Sequence, residues 1–193
     1  MSIRNRIFAV FALSTALGVY GLFHWMQSDL LPRYMEAQED LLVDMAHILA
    51  AQIEAQNARA DQAELALSLG NWEQVFAAAQ AKEFSAQIYD LLKTQVELRV
   101  MVTDATGRVV FDSDNGRDLG RDNSRWHDVK RTLEGGYGAR STHGDPLFPE
   151  GSTMYIGAPI RHQGDIVGVV SVGKTTRNAE RFLDSAIRRL ALA

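Results

Sequence analysis

The chain holds 193 residues, of which 20 are Lys or Arg and 24 are Asp or Glu, for a formal net charge of −4. That weak acidity excludes a general nucleic-acid binder, which carries a basic excess, and 46% hydrophobic with 23% charged residues excludes wholesale disorder. The absence of cysteine excludes disulfide scaffolds, thiolate metal sites and thiol catalysis.

The first apolar run, Ile7 to Met26, contains no Asp, Glu, Lys or Arg. About 20 apolar residues at ~1.5 Å rise span a ~30 Å hydrocarbon core. Arg4 and Arg6 precede the run and no Lys or Arg follows until Arg33. The positive-inside rule therefore puts residues 1–6 in the cytoplasm, residues 7–26 across the membrane, and the rest outside. No A-x-A site closely follows the run, so it reads as an anchor that is retained, not as a cleaved signal peptide.

Residues 27–97 read as a membrane-proximal helical segment. Pro32 suits a first helical turn. Leu41, Leu42, Met45, Ile48, Leu49 and Ile53 recur at helical spacing, with Glu36, Glu39, Asp40 and Asp44 on a wetter face. This long helix continues from the anchor, with a bend expected near Pro32. Its apolar stripe suits either its own domain or a second copy of the chain. Asn57 to Asp61 marks a break, and Leu65–Gln80 and Glu83–Leu92 read as two further helices.

From residue 98 to 174 the period changes. Arg99–Asp104 and Arg108–Asp112 are β-branched runs joined by Ala105-Thr106-Gly107, a hairpin connection. A polar loop reaches Asn123. Ser124 is placed to cap a helix ending near Gly135-Gly136. Tyr137–Ser141 is a third strand, and Thr142–Ser152, with Gly144, Pro146 and Pro149, a loop. Thr153–Arg161 and Asp165–Lys174 are two strong strands joined by His162-Gln163-Gly164. Residues 175–193 form an exit helix carrying Phe182, Leu183, Ile187 and Leu190, leading toward a second membrane span. The order predicts an α+β fold: a five-stranded antiparallel sheet with a long N-terminal helix, preceded by one transmembrane helix.

Gly168-Val-Val-Ser-Val-Gly173-Lys174-Thr175 matches the phosphate-loop pattern. Its spacer is strand-forming, whereas the mechanism needs a polar loop whose N–H groups wrap phosphate; the match is read as strand. Asp112-Ser113-Asp114-Asn115-Gly116 lacks the calcium-loop glycine and glutamate positions and is read as a turn. No two histidines share a short metal-ligand spacing, and no serine-hydrolase elbow occurs. No catalytic residue, metal or cofactor is expected.

Arg117, Arg121, Arg125, Arg131 and Arg140 cluster in an otherwise acidic chain. Arginine offers a planar fork for carboxylate or phosphate, and Trp126, Tyr137 and Tyr155 suit a pocket wall. Arg125, Trp126, Tyr137, Arg140 and Tyr155 are therefore the candidate ligand-binding residues, lining one cavity between the sheet and the Ser124–Leu133 helix. Alternation sets Tyr137 and Ala139 on one face and Arg140 on the other, so Tyr137 and Arg140 converge only if the strand bends at Gly138.

Ser124–Trp126, Arg131-Thr132-Leu133, Tyr137-Gly138-Ala139-Arg140-Ser141-Thr142 and Met154-Tyr155, within residues 98–174, resemble the periplasmic sensor region of CreC-type sensor histidine kinases of two-component systems. The resemblance implies a PAS-like Cache fold, a homodimer, a bacterial inner-membrane location with the sensory part in the periplasm, and control of a kinase that phosphorylates a CreB-type response regulator. The chain thus reads as a signal-input module for a periplasmic partner or a small ligand, for which the arginine cluster suits an anion, without phosphoacceptor or ATP-binding motifs in these 193 residues. The input domain of a chemoreceptor or cyclase would use the same fold; a membrane-tethered periplasmic hydrolase is a rival of another class.

Overall fold

A computed structural model of the chain describes residues 2–57, 69–88, 91–145 and 148–177. Helix α1 (Ile3–Asn57) is a single 55-residue helix that runs unbroken through Pro32, about 80 Å at 1.5 Å per residue. Its first part, Ile3–Trp25, is long and apolar enough to cross a membrane and is wholly exposed. Helix α2 (Gly70–Ala81) follows, then the short strands β1 (Ala86–Ile88) and β2 (Leu91–Lys93), and strands β3 (Arg99–Asp104) and β4 (Val109–Asp112). Helix α3 (His127–Leu133) and strands β5 (Gly138–Asp145), β6 (Phe148–His162) and β7 (Asp165–Thr175) complete the described fold. The exit helix expected over residues 175–193 lies outside the described residues beyond 177.

The main sheet has five antiparallel strands in the order β4-β3-β7-β6-β5, as the element order predicted. Strand period two divides it into unlike faces. The first face carries Val100, Val102, Phe111, Met154, Ile156, Ala158, Ile160, Val170 and Val172, which form the core with Leu42, Ala46, Ala50 and Ile53 of α1. Ala46 and Ala50 keep the helix surface low where it lies on the sheet. Leu41 and Ile48, 57% and 67% exposed, point away from the sheet. The apolar stripe of α1 is thus divided between two directions. Trp72 and Phe76 of α2 close the β4 end of this core against Phe111, with ring centroids 5.6 Å apart, a spacing typical of favourable edge contacts.

Two polar links fasten α1 to the sheet. The Tyr137 hydroxyl donates to Glu39. The Arg161 N–H donates to Glu54 Oε1 at 2.6 Å, where a register shift between Ile160 and Arg161 interrupts the ladder. Glu54 supplies a partner to this exposed N–H at the bulge.

On the second face α3 lies unusually close to the strands. A Cβ at Gly138 or Gly157 would collide with the Asp128 carbonyl oxygen and Thr132 Oγ1. Only glycine at both positions lets the helix backbone approach so near.

Three expectations are corrected. Glu83–Leu92 is not a helix but the β1–β2 hairpin, extended by a Phe84 N–H bond to the Thr94 carbonyl. Its helical spacing had no surface to bury against, since Ile88 and Leu92 are about half exposed. Ser124 does not cap α3; its own N–H is held by Asp122, and one further turn places Trp126 at the N-cap. Thr142–Ser152 is largely strand, because β5 and β6 continue into one long hairpin. Gly144, at φ 67°, occupies the register shift that lets the edge strand run on. The two-residue turn Gln163-Gly164, with both φ positive, joins β6 to β7 as a primed hairpin turn requires.

Replacing Gly157 with Ala is expected to lower unfolding free energy by about 1–3 kcal/mol, because α3 must lift from the sheet. Urea unfolding of the part beyond residue 27 measures it, and an unchanged midpoint would contradict the close-approach argument.

Candidate functional site

The second face is polar where the first is apolar. Arg99 begins β3, and period two places it, with Met101 and Thr103, on the α3 side. Its side chain is 2% exposed. Its guanidinium grips Asp112 bidentately, Nε to Oδ1 at 3.1 Å and Nη2 to Oδ2 at 2.7 Å. Nη2 also reaches Asp118 Oδ2 at 2.7 Å, and Nη1 reaches Asp145 at 3.3 Å and the Tyr155 hydroxyl at 3.4 Å. The Tyr155 hydroxyl donates to Asp145. One guanidinium therefore joins β3, β4, β5, β6 and the loop after β4.

That loop is folded over the strand ends by the same groups. Asp112 accepts the N–H groups of Asp114 and Asp118, both at 3.0 Å. Arg117 pairs with Asp114, and Arg121 with Asp118 at 3.3 Å. Burial raises the Asp112 pKa, but the Arg99 hydrogen bonds, the two N–H groups and the Arg99 charge outweigh it, so it lies below the usual carboxylate range. Burial and then the Asp145 hydrogen bond push the Tyr155 phenol well above its ordinary value.

A second cluster adjoins the first through the Tyr155 ring. Arg140 stands on β5 with its guanidinium carbon 4.0 Å from the Trp126 ring centroid and 4.1 Å from that of Tyr155, within cation–π range. Its Nε donates to Asp128 Oδ1 at 2.8 Å and its Nη1 to Thr142. Asp128, on α3 and 0% exposed, also accepts from the Ser171 hydroxyl of β7. Arg140 Nη2 is buried with no hydrogen-bond partner among the described residues. Arg121 approaches the Trp126 ring at 5.0 Å.

Of the five candidate residues, Trp126, Arg140 and Tyr155 meet here. Arg125 is exposed, one position before Trp126. Tyr137 is 54% exposed and its hydroxyl lies on the α1 side. No bend at Gly138 turns Tyr137 inward; plain alternation puts Arg140 on one face and Tyr137 on the other. Sequence reasoning paired the arginines with Asp118 and Asp128 only as a solvated face, and missed Arg99, Asp112 and Asp145 as parts of a buried network. The available signal was Arg99 itself, an arginine in phase with Met101 and Thr103 on a strand whose other phase is valine.

The phosphate-loop match lies wholly within β7. Gly168 to Gly173 is paired with β3 on one side and β6 on the other, so its N–H groups serve the sheet. Burial and then the charge of Lys93 hold Lys174 below the usual lysine range.

No family model matches the chain. Sensor protein CreC of Escherichia coli (strain K12) is 36% identical to it over all 193 residues, and the chain spans 40% of that protein's length. The sensor domain of the histidine kinase DctB from V. cholerae superposes with a TM-score of 0.54 over 81% of this chain and 57% of that one, at 17% identity. The resemblance seen over residues 98–174 thus extends along the whole chain, and the PAS-like Cache architecture is that of a known sensor domain.

The buried network sets a pH dependence with a definite sign at each end. Asp112, lowered in the fold, contributes stability above about pH 3.9 that is lost as pH falls through its folded value. Tyr155, raised in the fold, contributes stability below about pH 10 that is lost as pH rises above it. The contribution of these two groups to the unfolding free energy of the part beyond residue 27 should be flat between these limits and fall outside them. Tyr155→Phe should soften the alkaline fall; an alkaline limb identical to the parent's would refute the assignment.

Proposed function

We propose that this chain is the extracytoplasmic signal-input part of a CreC-type sensor histidine kinase in a bacterial inner membrane. Similarity along all 193 residues to part of a sensor protein, a sensor-domain fold and one N-terminal helix of membrane-spanning length support this reading. The second face is the input site, with Trp126, Arg140 and Tyr155 at its centre and Arg125 at its rim. Tyr137 stands outside that site, on the α1 side of the sheet. The ligand is a small anion, and the observation that carries this is the buried, unpartnered Nη2 of Arg140 between two aromatic rings. A carboxylate or phosphate oxygen would supply the missing acceptor, adding to the Asp128 pair already made. A homodimer forms through the outward face of α1, where Leu41 and Ile48 stand seven residues apart, two helical turns. The output is phosphorylation of a CreB-type response regulator by the kinase part of the protein.

Two experiments test the reading. A reporter active only outside the cytoplasm, fused after Gln56, should be active in a bacterial host. Activity solely from a cytoplasmic reporter would reverse the orientation and remove the sensor reading with it.

The second is a thermal-shift screen of small carboxylates and inorganic phosphate, repeated on Arg140→Ala and Arg140→Lys. Loss of one charge-assisted contact should weaken binding about 10- to 150-fold in Arg140→Ala, and Lys should restore only part. Parent-like binding by folded Arg140→Ala protein rejects the anion site and leaves the fold assignment intact.

A further inference from the structure

The candidate site and the helix that enters the membrane lie on opposite faces of one sheet, yet the chain joins them over four residues. Helix α3 ends at Leu133, Glu134 caps it, and Gly135 and Gly136 turn the backbone, Gly135 at φ 81°. Tyr137 follows directly and its phenol donates to Glu39 of α1. We propose that the Tyr137–Glu39 hydrogen bond is the transmission contact that couples the position of α3 on the second face to the position of α1 on the first. This rests on reading the second face as the input site.

Three features make α3 the element that responds. Asp128 holds it to the sheet through Arg140 Nε and the Ser171 hydroxyl, so any change in the charge around Arg140 acts on α3 through a fully buried carboxylate. The helix is only seven residues long, too short to be stable without tertiary contacts. It also rests on Gly138 and Gly157 without room to sink, so it can move only outward or along the sheet.

The second polar link gives the movement a pivot. Glu54 is held by the Arg161 N–H near the turn of the β6–β7 hairpin, four residues along β6 from Gly157, on which α3 rests. Glu39 and Glu54 are 15 residues apart on α1, about 22 Å. Release of Tyr137 alone leaves the Glu54 end fixed and removes the directional restraint from the end nearer the membrane, where Met35 and Leu42 make only apolar contacts that allow the helix to shift. Glu39 lies about 21 Å along the helix from Trp25, so its displacement is carried directly into the membrane-crossing part.

The test needs neither ligand nor kinase output. Hydrogen exchange is measured on the full chain in lipid nanodiscs, for segments within α3 and within residues 35–45 of α1. Arg140→Ala perturbs the α3 side, and the same change is made in a Tyr137→Phe background. The expected result is about fivefold or faster exchange in both segments for Arg140→Ala. In the Tyr137→Phe background the α3 effect should remain and the α1 effect should vanish. Ser171→Ala, which removes one hydroxyl from Asp128, replaces Arg140→Ala if that variant does not fold. An α1 response of equal size in both backgrounds, or an α3 response with none in α1, overturns the proposal. A tyrosine that merely staples α1 would shift the baseline of that segment and leave the response to Arg140→Ala intact. Anion binding is measured separately, so loss of the coupling and loss of the anion site are distinguishable.

Discussion

Arg99 is a buried cation, and the second face of the sheet is arranged around the need to compensate it. An isolated charge cannot be taken out of water at tolerable cost. The compensation comes from Asp112 on β4, Asp145 on β5 and Asp118 in the loop between β4 and α3, with Tyr155 of β6 completing the shell. Three carboxylates around one guanidinium are more than neutrality needs. Arg117 and Arg121 take up the surplus from the solvent side. Such a cluster adds little net stability over an apolar core of equal volume. What it does fix is geometry: the loop from Asp112 to Arg121 has one place where all these charges are satisfied together. That loop delivers Trp126 to the Arg140 guanidinium, so the candidate site inherits its shape from a charge problem a few residues away.

The two faces divide the work of the domain. The first face is aliphatic and buries α1 through Leu42, Ala46, Ala50 and Ile53. Its contacts are non-directional and tolerate small rotations of the helix. The second face is polar and directional, and its ion pairs and hydrogen bonds join specific partners at specific angles. A ligand that binds there perturbs hydrogen bonds of defined geometry, whereas the apolar side can follow with little change in buried area. A sheet with one polar and one apolar face therefore suits conversion of a local chemical event into a rigid-body adjustment of a helix.

What the sequence made legible follows from how local each signal is. The membrane helix, the strands β3, β4, β6 and β7, and the Gln163-Gly164 turn are written in runs and turns that need no distant partner. Strand pairing overrode the phosphate-loop pattern because a Val-Val-Ser-Val spacer prefers a ladder to a loop, and that was readable. Other features depend on neighbours. Glu83–Leu92 has helical spacing, but no surface receives that helix, so the segment pairs with itself. Gly144, Pro146 and Pro149 look like a loop, yet residues 148–152 extend past the end of β7 and take their ladder partners from the edge strand, where irregularities are tolerated. The site was half legible for the same reason. Trp126, Arg140 and Tyr155 were visible as types suited to an anion pocket, while Asp128 looked like an ordinary helical acid. Only the fold reveals that Asp128 has no solvent and must face Arg140.

The magnitudes limit how such a domain can respond. A single charge-assisted hydrogen bond is worth about 1.5–3 kcal/mol. Moving a two-state equilibrium from 1:99 to 99:1 takes about 5.5 kcal/mol of differential binding. One new oxygen on Arg140 Nη2 therefore cannot switch a single subunit fully, unless the resting populations already lie close to balance. The short α3, held by Asp128 and by glycine contacts, is suited to such balance, because few interactions separate its docked and displaced positions. A second way to meet the requirement is to sum two sites: in a pair of chains joined through α1, two ligands of this kind bias one common helix arrangement and together supply about 3–6 kcal/mol. The exposed Leu41 and Ile48 edge and the single buried orphan donor of Arg140 are thus two parts of one energetic argument: a weak input becomes decisive when the helix it moves is shared.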